Sequence, residues 1–166
     1  SGLLQPGDSI TVLPSLQKST ITKILRFDQS LDQVEARQSV VITLKDNIDI
    51  SRGDILVKTS KEPELMKELE ADICWMDSQS LTNGKTYLLH HGTSQTKAKI
   101  VSIDYLQIPS TLEKLPANAL QMNDIARIKI KTAKPLAIDR YSENPSDGSF
   151  ILIDEYSNNT VAVGFA

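Results

Sequence analysis

The heptapeptide "ARIKIKT" at 126–132 constrains the fold more tightly than any other stretch of the chain. On an extended backbone Ala126, Ile128, Ile130 and Thr132 fall on one side, and Arg127, Lys129 and Lys131 on the other. A helix would scatter these residues around its circumference, whereas a half-buried antiparallel strand sorts them into an apolar and a charged face. The same period of two recurs in "SITVL" (9–13), "TITKILRF" (20–27), "SVVITL" (39–44), "DILVKT" (54–59) and "ADICWM" (71–76). It returns in "TYLLHH" (86–91), "TKAKIVSIDY" (96–105), "SFILID" (149–154) and "TVAVGF" (160–165). Turn signals separate these runs at Pro6-Gly7-Asp8, Asn83-Gly84, Gly92-Thr93, Asp147-Gly148 and Ser157-Asn158-Asn159. Short strands punctuated in this way predict an all-β chain built as barrels or sandwiches.

Helical signals are few. "KEPELMKELEA" (61–71) has helical composition, but Pro63 and its shortness limit it to one or two turns in a connector. "STLEKLP" (110–116) reads as one further turn. The charged connector divides the chain into a domain over 1–60, a linker over 61–70 and a domain over 71–166. The first block is small for a free-standing barrel.

Composition and motifs exclude several kinds of chemistry. A net charge of −3 and a pI near 5.4 give no global attraction to nucleic acid. Cys74 is the sole cysteine, so neither an intrachain disulfide nor a cysteine-based zinc cluster is available, which fits a reducing cytoplasm. Beside Trp75 in an alternating run, Cys74 is expected to be buried and unreactive. The longest apolar runs, such as "FILI" (150–153), are too short to span a bilayer, and no secretory signal is read. Gly84-Lys85-Thr86 imitates the end of a phosphate-binding loop, yet Gln79 stands where that loop needs its first glycine, and a strand follows instead of a helix. His90 and His91 are adjacent on a strand, so they face opposite ways and cannot converge on one metal. "NNT" (158–160) fits a glycosylation sequon but reads as a turn, and no Gly-x-Ser-x-Gly elbow is present. Catalytic, cofactor-binding and metal-ligating residues are therefore all assigned as none. Arg52-Gly53-Asp54 spells an adhesion motif, but Ile48, Ile50, Ile55 and Val57 alternate on either side of it, as around a turn between strands.

"PGDSITVLPS" (6–15) resembles the Gly-Asp-x-Val-x-Val-Leu-Pro-Ser signature in the second domain of elongation-factor-like GTPases. "VVITLKDNIDISRGDILV" (40–57) is similar to the end of that domain in one branch, the large GTP-hydrolysing subunits of bacterial sulfate adenylyltransferase. "ADICWM" (71–76), "YLLHHGTSQTKAKI" (87–100), "LQMNDIARIKI" (120–130) and "DRYSENPSDGSFILIDEYSNNTVAVG" (139–164) resemble third-domain segments of the same branch, in the same order. Elongation factors of the Tu type, which bind aminoacyl-tRNA, are the nearest competitor. Asp154 and Asn159 stand where their closing hairpin carries basic residues.

The resemblance implies two antiparallel β-barrels of the elongation-factor domain 2 and domain 3 type, the first lacking its initial strand and left with an open edge. It implies a parent protein with a GTPase domain that holds GTP and Mg. That parent works with a separate catalytic subunit to convert ATP and sulfate to adenosine 5′-phosphosulfate and pyrophosphate. None of the GTP-binding motifs falls in these 166 residues, and the chain opens on Ser1, so a fragment that neither binds nor hydrolyses GTP is expected. The expected role is a cytoplasmic docking and coupling platform, with the catalytic subunit and the parent's own GTPase domain as partners and without nucleic acid or membrane. His90, His91, Arg140 and Tyr141 are the candidate contact residues.

Overall fold

Every stretch that alternates becomes a strand. The computed structural model describes residues 2–35 and 38–166, and divides into two units, Ser1–Glu62 and Pro63–Ala166.

The first unit contains β1 (Leu3–Leu4), β2 (Ser9–Leu13), β3 (Gln17–Arg26), β4 (Gln29–Ser30), β5 (Val34–Glu35), β6 (Val41–Leu44) and β7 (Ile55–Lys58), followed by a 3-10 turn at Thr59–Lys61. Its main sheet runs β4-β3-β2-β7 with β6 also paired to β3, and β1 pairs with β5. Among the described residues these ladders, all antiparallel, do not join end to end. Ile10 and Val12 of β2 meet Ile21, Ile24 and Val34 in a small core. Thr11, between them on the opposite face, is equally buried. Its hydroxyl donates to Glu62 Oε1 at 2.6 Å, satisfying a group that would otherwise cost free energy to bury.

The second unit contains β8 (Leu65–Trp75), β9 (Leu81–Thr82), β10 (Thr86–His91), β11 (Ser94–Gln107), β12 (Lys114–Leu115), β13 (Ala119–Leu120), β14 (Ile125–Ala137), β15 (Ser149–Ile153) and β16 (Thr160–Phe165). Six of them form a ring, β10-β15-β16-β8-β14-β11, which the β10–β11 hairpin closes into an antiparallel barrel without free edges. Ile73, Trp75, Leu89, Ile100, Ile128, Ile130 and Leu152 fill it. Leu81 and Leu120, from the paired β9 and β13, join the same core.

Two expectations are corrected. The segment 61–70 is not a linker with helical turns, because Leu65 begins an eleven-residue strand. Leu69 and Ala71 point inward there while Glu68 and Glu70 point outward, and pairing with β14 overrides the helix-forming composition. Segment 110–116 does supply the expected turn, followed by β12. Cys74 is half-buried on the outer wall, because Ile73 and Trp75 occupy the inward positions on either side of it.

Gly164 of β16 allows the Phe150 ring to lie flat against the backbone, where any Cβ would overlap ring carbons. Gly164→Ala should cost about 2 kcal/mol by overpacking, seen as a lower urea midpoint. Adding Phe150→Leu should restore part of the loss, and a midpoint unchanged by Gly164→Ala would refute the contact.

Candidate functional site

The four candidate contact residues lie at one end of the second barrel. His90 is exposed at the end of β10, and His91, one residue on, is buried. His91 Nδ1 lies 3.1 Å from Ser149 O and Nε2 3.2 Å from Ala137 O. The side chain thus bridges the end of β14 and the start of β15, and it is not available as a contact surface. Its two ring nitrogens face two acceptors, of which a neutral imidazole can donate to only one.

Between those strands runs the connection 138–148, which carries Arg140 and Tyr141. Arg140 O accepts N–H groups from Glu143 and Asn144, and Gly148 N–H donates to Asn144 O at 2.8 Å. The Asn144 amide donates to Asp139 at 2.9 Å and to Asp147 at 2.8 Å. A Cβ on Gly148 would collide with the Tyr141 backbone, so the loop closes only around glycine. Tyr141 N–H donates to Ala166 O, and its ring packs edge-on against Phe165 with centroids 4.7 Å apart. His90, Arg140 and Tyr141 are exposed at this end, on a loop fixed by its own bonds. Among the described residues no group of three or more His, Cys, Asp or Glu could hold a metal ion.

The outer wall carries the strongest charge pattern. Arg127, Lys129 and Lys131 of β14 stand directly across from Asp72, Glu70 and Glu68 of β8. Arg127 lies 3.1 Å from Asp72 and 3.7 Å from Glu70, Lys129 lies 3.3 Å from Glu70, and Lys131 lies 2.8 Å from Glu68. The last pair lowers the Glu68 carboxyl below its ordinary range and raises the Lys131 ammonium. A basic stripe that would otherwise suit phosphates is matched residue by residue with carboxylates.

Arg52-Gly53-Asp54 is one of three copies of a single turn. In Ser51–Asp54, Asp54 N–H donates to Ser51 O at 3.0 Å and Ser51 N–H donates to Asp54 Oδ2 at 2.8 Å. Gln5–Asp8 repeats both bonds at 3.1 and 2.9 Å, and Gln121–Asp124 repeats them at 3.0 and 2.7 Å. The third residue has positive φ in each, 93° at Gly7, 102° at Gly53 and 72° at Asn123, which is why glycine or asparagine stands there. The Asp54 carboxylate is engaged within its own turn, which launches β7 as the other two launch β2 and β14. Each copy is visible in the sequence as glycine or asparagine followed by aspartate, yet only the copy that spells an adhesion motif attracts attention.

Asp8 also accepts a salt bridge from Lys58 at 2.8 Å, and this bond, helped by the Gln5 N–H, holds its carboxyl below the ordinary value of 3.8. A carboxyl lowered on folding stabilises the fold above its unfolded pKa, and the contribution is lost as pH falls through the folded value. Asp8→Asn should therefore cost about 1 kcal/mol at neutral pH. The difference from the native chain should vanish in acid, and urea melts across pH that stay parallel would contradict the pairing.

The family model "GTP-eEF1A C-terminal domain-like" matches residues 68–166. A protein of Aliarcobacter butzleri called "Sulfate adenylyltransferase subunit 1" is 42% identical over 99% of this chain and 35% of its own length. A "Bifunctional enzyme CysN/CysC" of Rhodopirellula baltica is 37% identical over 99% of this chain and 25% of its own length. The chain thus spans about a third or less of these relatives. Among solved structures, Sup35 complexed with GMPPNP superposes with a TM-score of 0.90 at 19% identity, over 99% of this chain and 41% of the other, a likeness of fold.

Proposed function

Because the chain belongs to the family of GTP-eEF1A C-terminal-like domains, we propose that it is the β-barrel region of the GTPase subunit of a sulfate adenylyltransferase. Its work there is associative. It docks the catalytic subunit and the parent's GTPase domain, so that the nucleotide state of the second can bias sulfate adenylylation in the first. The observation that carries this reading is the 42% identity to a sulfate adenylyltransferase subunit 1 along 99% of the chain. GTP and Mg belong in this scheme to the GTPase domain, ATP and sulfate to the catalytic subunit, and the assembly to the cytoplasm.

The main competing reading, an aminoacyl-tRNA-binding pair of translation-factor barrels, draws on the same family and on the fold likeness to Sup35. Electrostatics favours the first reading. The chain is acidic overall, and its ordered basic stripe is neutralised by Glu68, Glu70 and Asp72. Coupling between nucleotide and adenylylation further requires that the barrels contact their partners differently in two states.

Immobilised full-length subunit should retain its catalytic subunit at about 0.15 M salt, and deleting the segment equivalent to residues 1–166 should abolish retention. Filter binding with aminoacyl-tRNA should show no affinity that climbs as salt is lowered. Retention undiminished by the deletion would remove the docking role, and salt-sensitive tRNA binding would favour the translation-factor reading.

A further inference from the structure

Five of the seven exposed large hydrophobic side chains of the second unit gather at one end of its barrel. This is the end where β8, β11 and β15 finish and β10, β14 and β16 begin, as the pairing of Ile125 with Cys74 and Gln107, and of Ile153 with Thr160 and Leu88, requires. The connections there, 76–85, 108–124 and 154–159, present Met76, Leu112, Leu115, Met122 and a Tyr156 that is 95% exposed. The opposite end offers Tyr141 alone, propped on Phe165, and Val101 stands on the wall.

The loops hold these side chains outward by defined bonds. Asn123 N–H donates to Trp75 O at 2.7 Å and Met76 N–H to Val161 O at 2.8 Å, which fixes Met76 and Met122 at one junction. Leu112 takes a positive φ of 59°, unfavourable for a branched residue, with its N–H bonded to Ile108 O at 2.8 Å. Backbone strain that leaves a leucine 67% exposed gains nothing for the isolated barrel.

Charge at this end is mainly negative, although Glu155 is paired with Lys97 at 3.0 Å. Asp77, Glu113, Asp124, Asp154 and Glu155 stand in the three connections against only Lys85 and Lys114. Both lysines turn back onto the protein, Lys85 donating to Ser80 O and Lys114 lying over the Tyr105 ring at 4.3 Å. The negative field reaches inside, where burial first and then Asp154 and Asp77 push the Tyr87 phenol up to about 12.

We propose that this end of the second barrel is a docking surface for a protein partner whose contact face has an apolar centre and a lysine- and arginine-rich margin. Resting on the reading above, that partner is the catalytic subunit. Methionine and leucine supply an adaptable apolar centre, and the carboxylates steer a basic partner while repelling phosphate backbones. Two copies of this chain would bring two acidic rims together, so self-association through this end is disfavoured.

The test is biolayer interferometry of full-length subunit against its catalytic subunit, with thermal melts confirming that each variant folds. Leu112→Asp combined with Met122→Asp should weaken binding by about tenfold or more. Tyr156→Ala, at a hairpin tip where folding is not at stake, should weaken it several-fold. Asp77→Lys combined with Glu113→Lys should slow association and flatten its salt dependence. Val101→Ser, on the wall between the two ends, should change nothing. Wild-type affinity in all three rim variants, or an equal loss in Val101→Ser, overturns the surface and leaves the functional reading standing. A wild-type subunit that fails to bind the catalytic subunit overturns that reading itself. Self-association of the wild type that the rim variants abolish would assign the surface to a second copy and overturn the proposed partner.

Discussion

Ile128 is fully buried in the barrel while Arg127 beside it meets Asp72 at 3.1 Å and Lys129 on its other side meets Glu70 at 3.3 Å, and the closed ring depends on that alternation along β14. The strand pairs with β8 on one side and β11 on the other. Slipping by one residue would carry Arg127, Lys129 and Lys131 into the core and expose Ile128 and Ile130. Burying even one of those charges without a partner costs several kcal/mol. The exposed ion pairs contribute little individually to stability, but they specify the same register as the core does. Two independent patterns therefore agree on a single pairing, and the neighbouring strands inherit it around the ring to the β10–β11 hairpin.

Once the ring is closed, its two ends present different surfaces. At one end, His91 spans Ala137 and Ser149, and the 138–148 connection is bonded to itself through Asn144 and Gly148. The buried His91 and the backbone and Asn144 groups of that connection are bonded within the fold, while His90 and Arg140 remain exposed. At the other end, the long 108–124 connection folds β13 against β9 and places Leu120 and Leu81 in the core, yet leaves Leu112, Leu115 and Met122 outside. The same connection thus completes the core and presents apolar surface beyond it.

Much of this was legible in the alternation alone. All ten stretches that alternate are strands, and the adjacency of His90 and His91 on β10 was enough to place them on opposite faces. Alternation does not by itself say which face is inward, so the sequence leaves His91 as a candidate contact although the fold buries it. Residues 65–70 misled for a different reason. Glu, Lys, Leu and Met are good helix formers, and only the basic residues of β14, some sixty positions away, make their outward half favourable in a strand. Proximity to Trp75 predicts a buried Cys74, although an inward Trp75 requires an outward Cys74. The threefold turn ending at Asp8, Asp54 and Asp124 was present in the residues throughout, and one copy was conspicuous only because it spells a known motif.

The choice between RNA and protein as partner turns on where charge is left unspent. A surface that holds RNA through its phosphates needs cations free of carboxylates, because affinity comes from releasing the counterions that phosphates hold. On the wall of the second barrel Arg127, Lys129 and Lys131 each face an acid, and Lys97 is paired with Glu155 at 3.0 Å. The carboxylates of the 76–85, 108–124 and 154–159 connections outnumber the lysines there, and those two exposed lysines are engaged by Ser80 O and the Tyr105 ring. Around these three connections, then, acids outnumber bases, and the basic stripe on the wall is matched by acids. Around exposed methionines, leucines and a tyrosine, that distribution suits a basic protein face and opposes a polyanion.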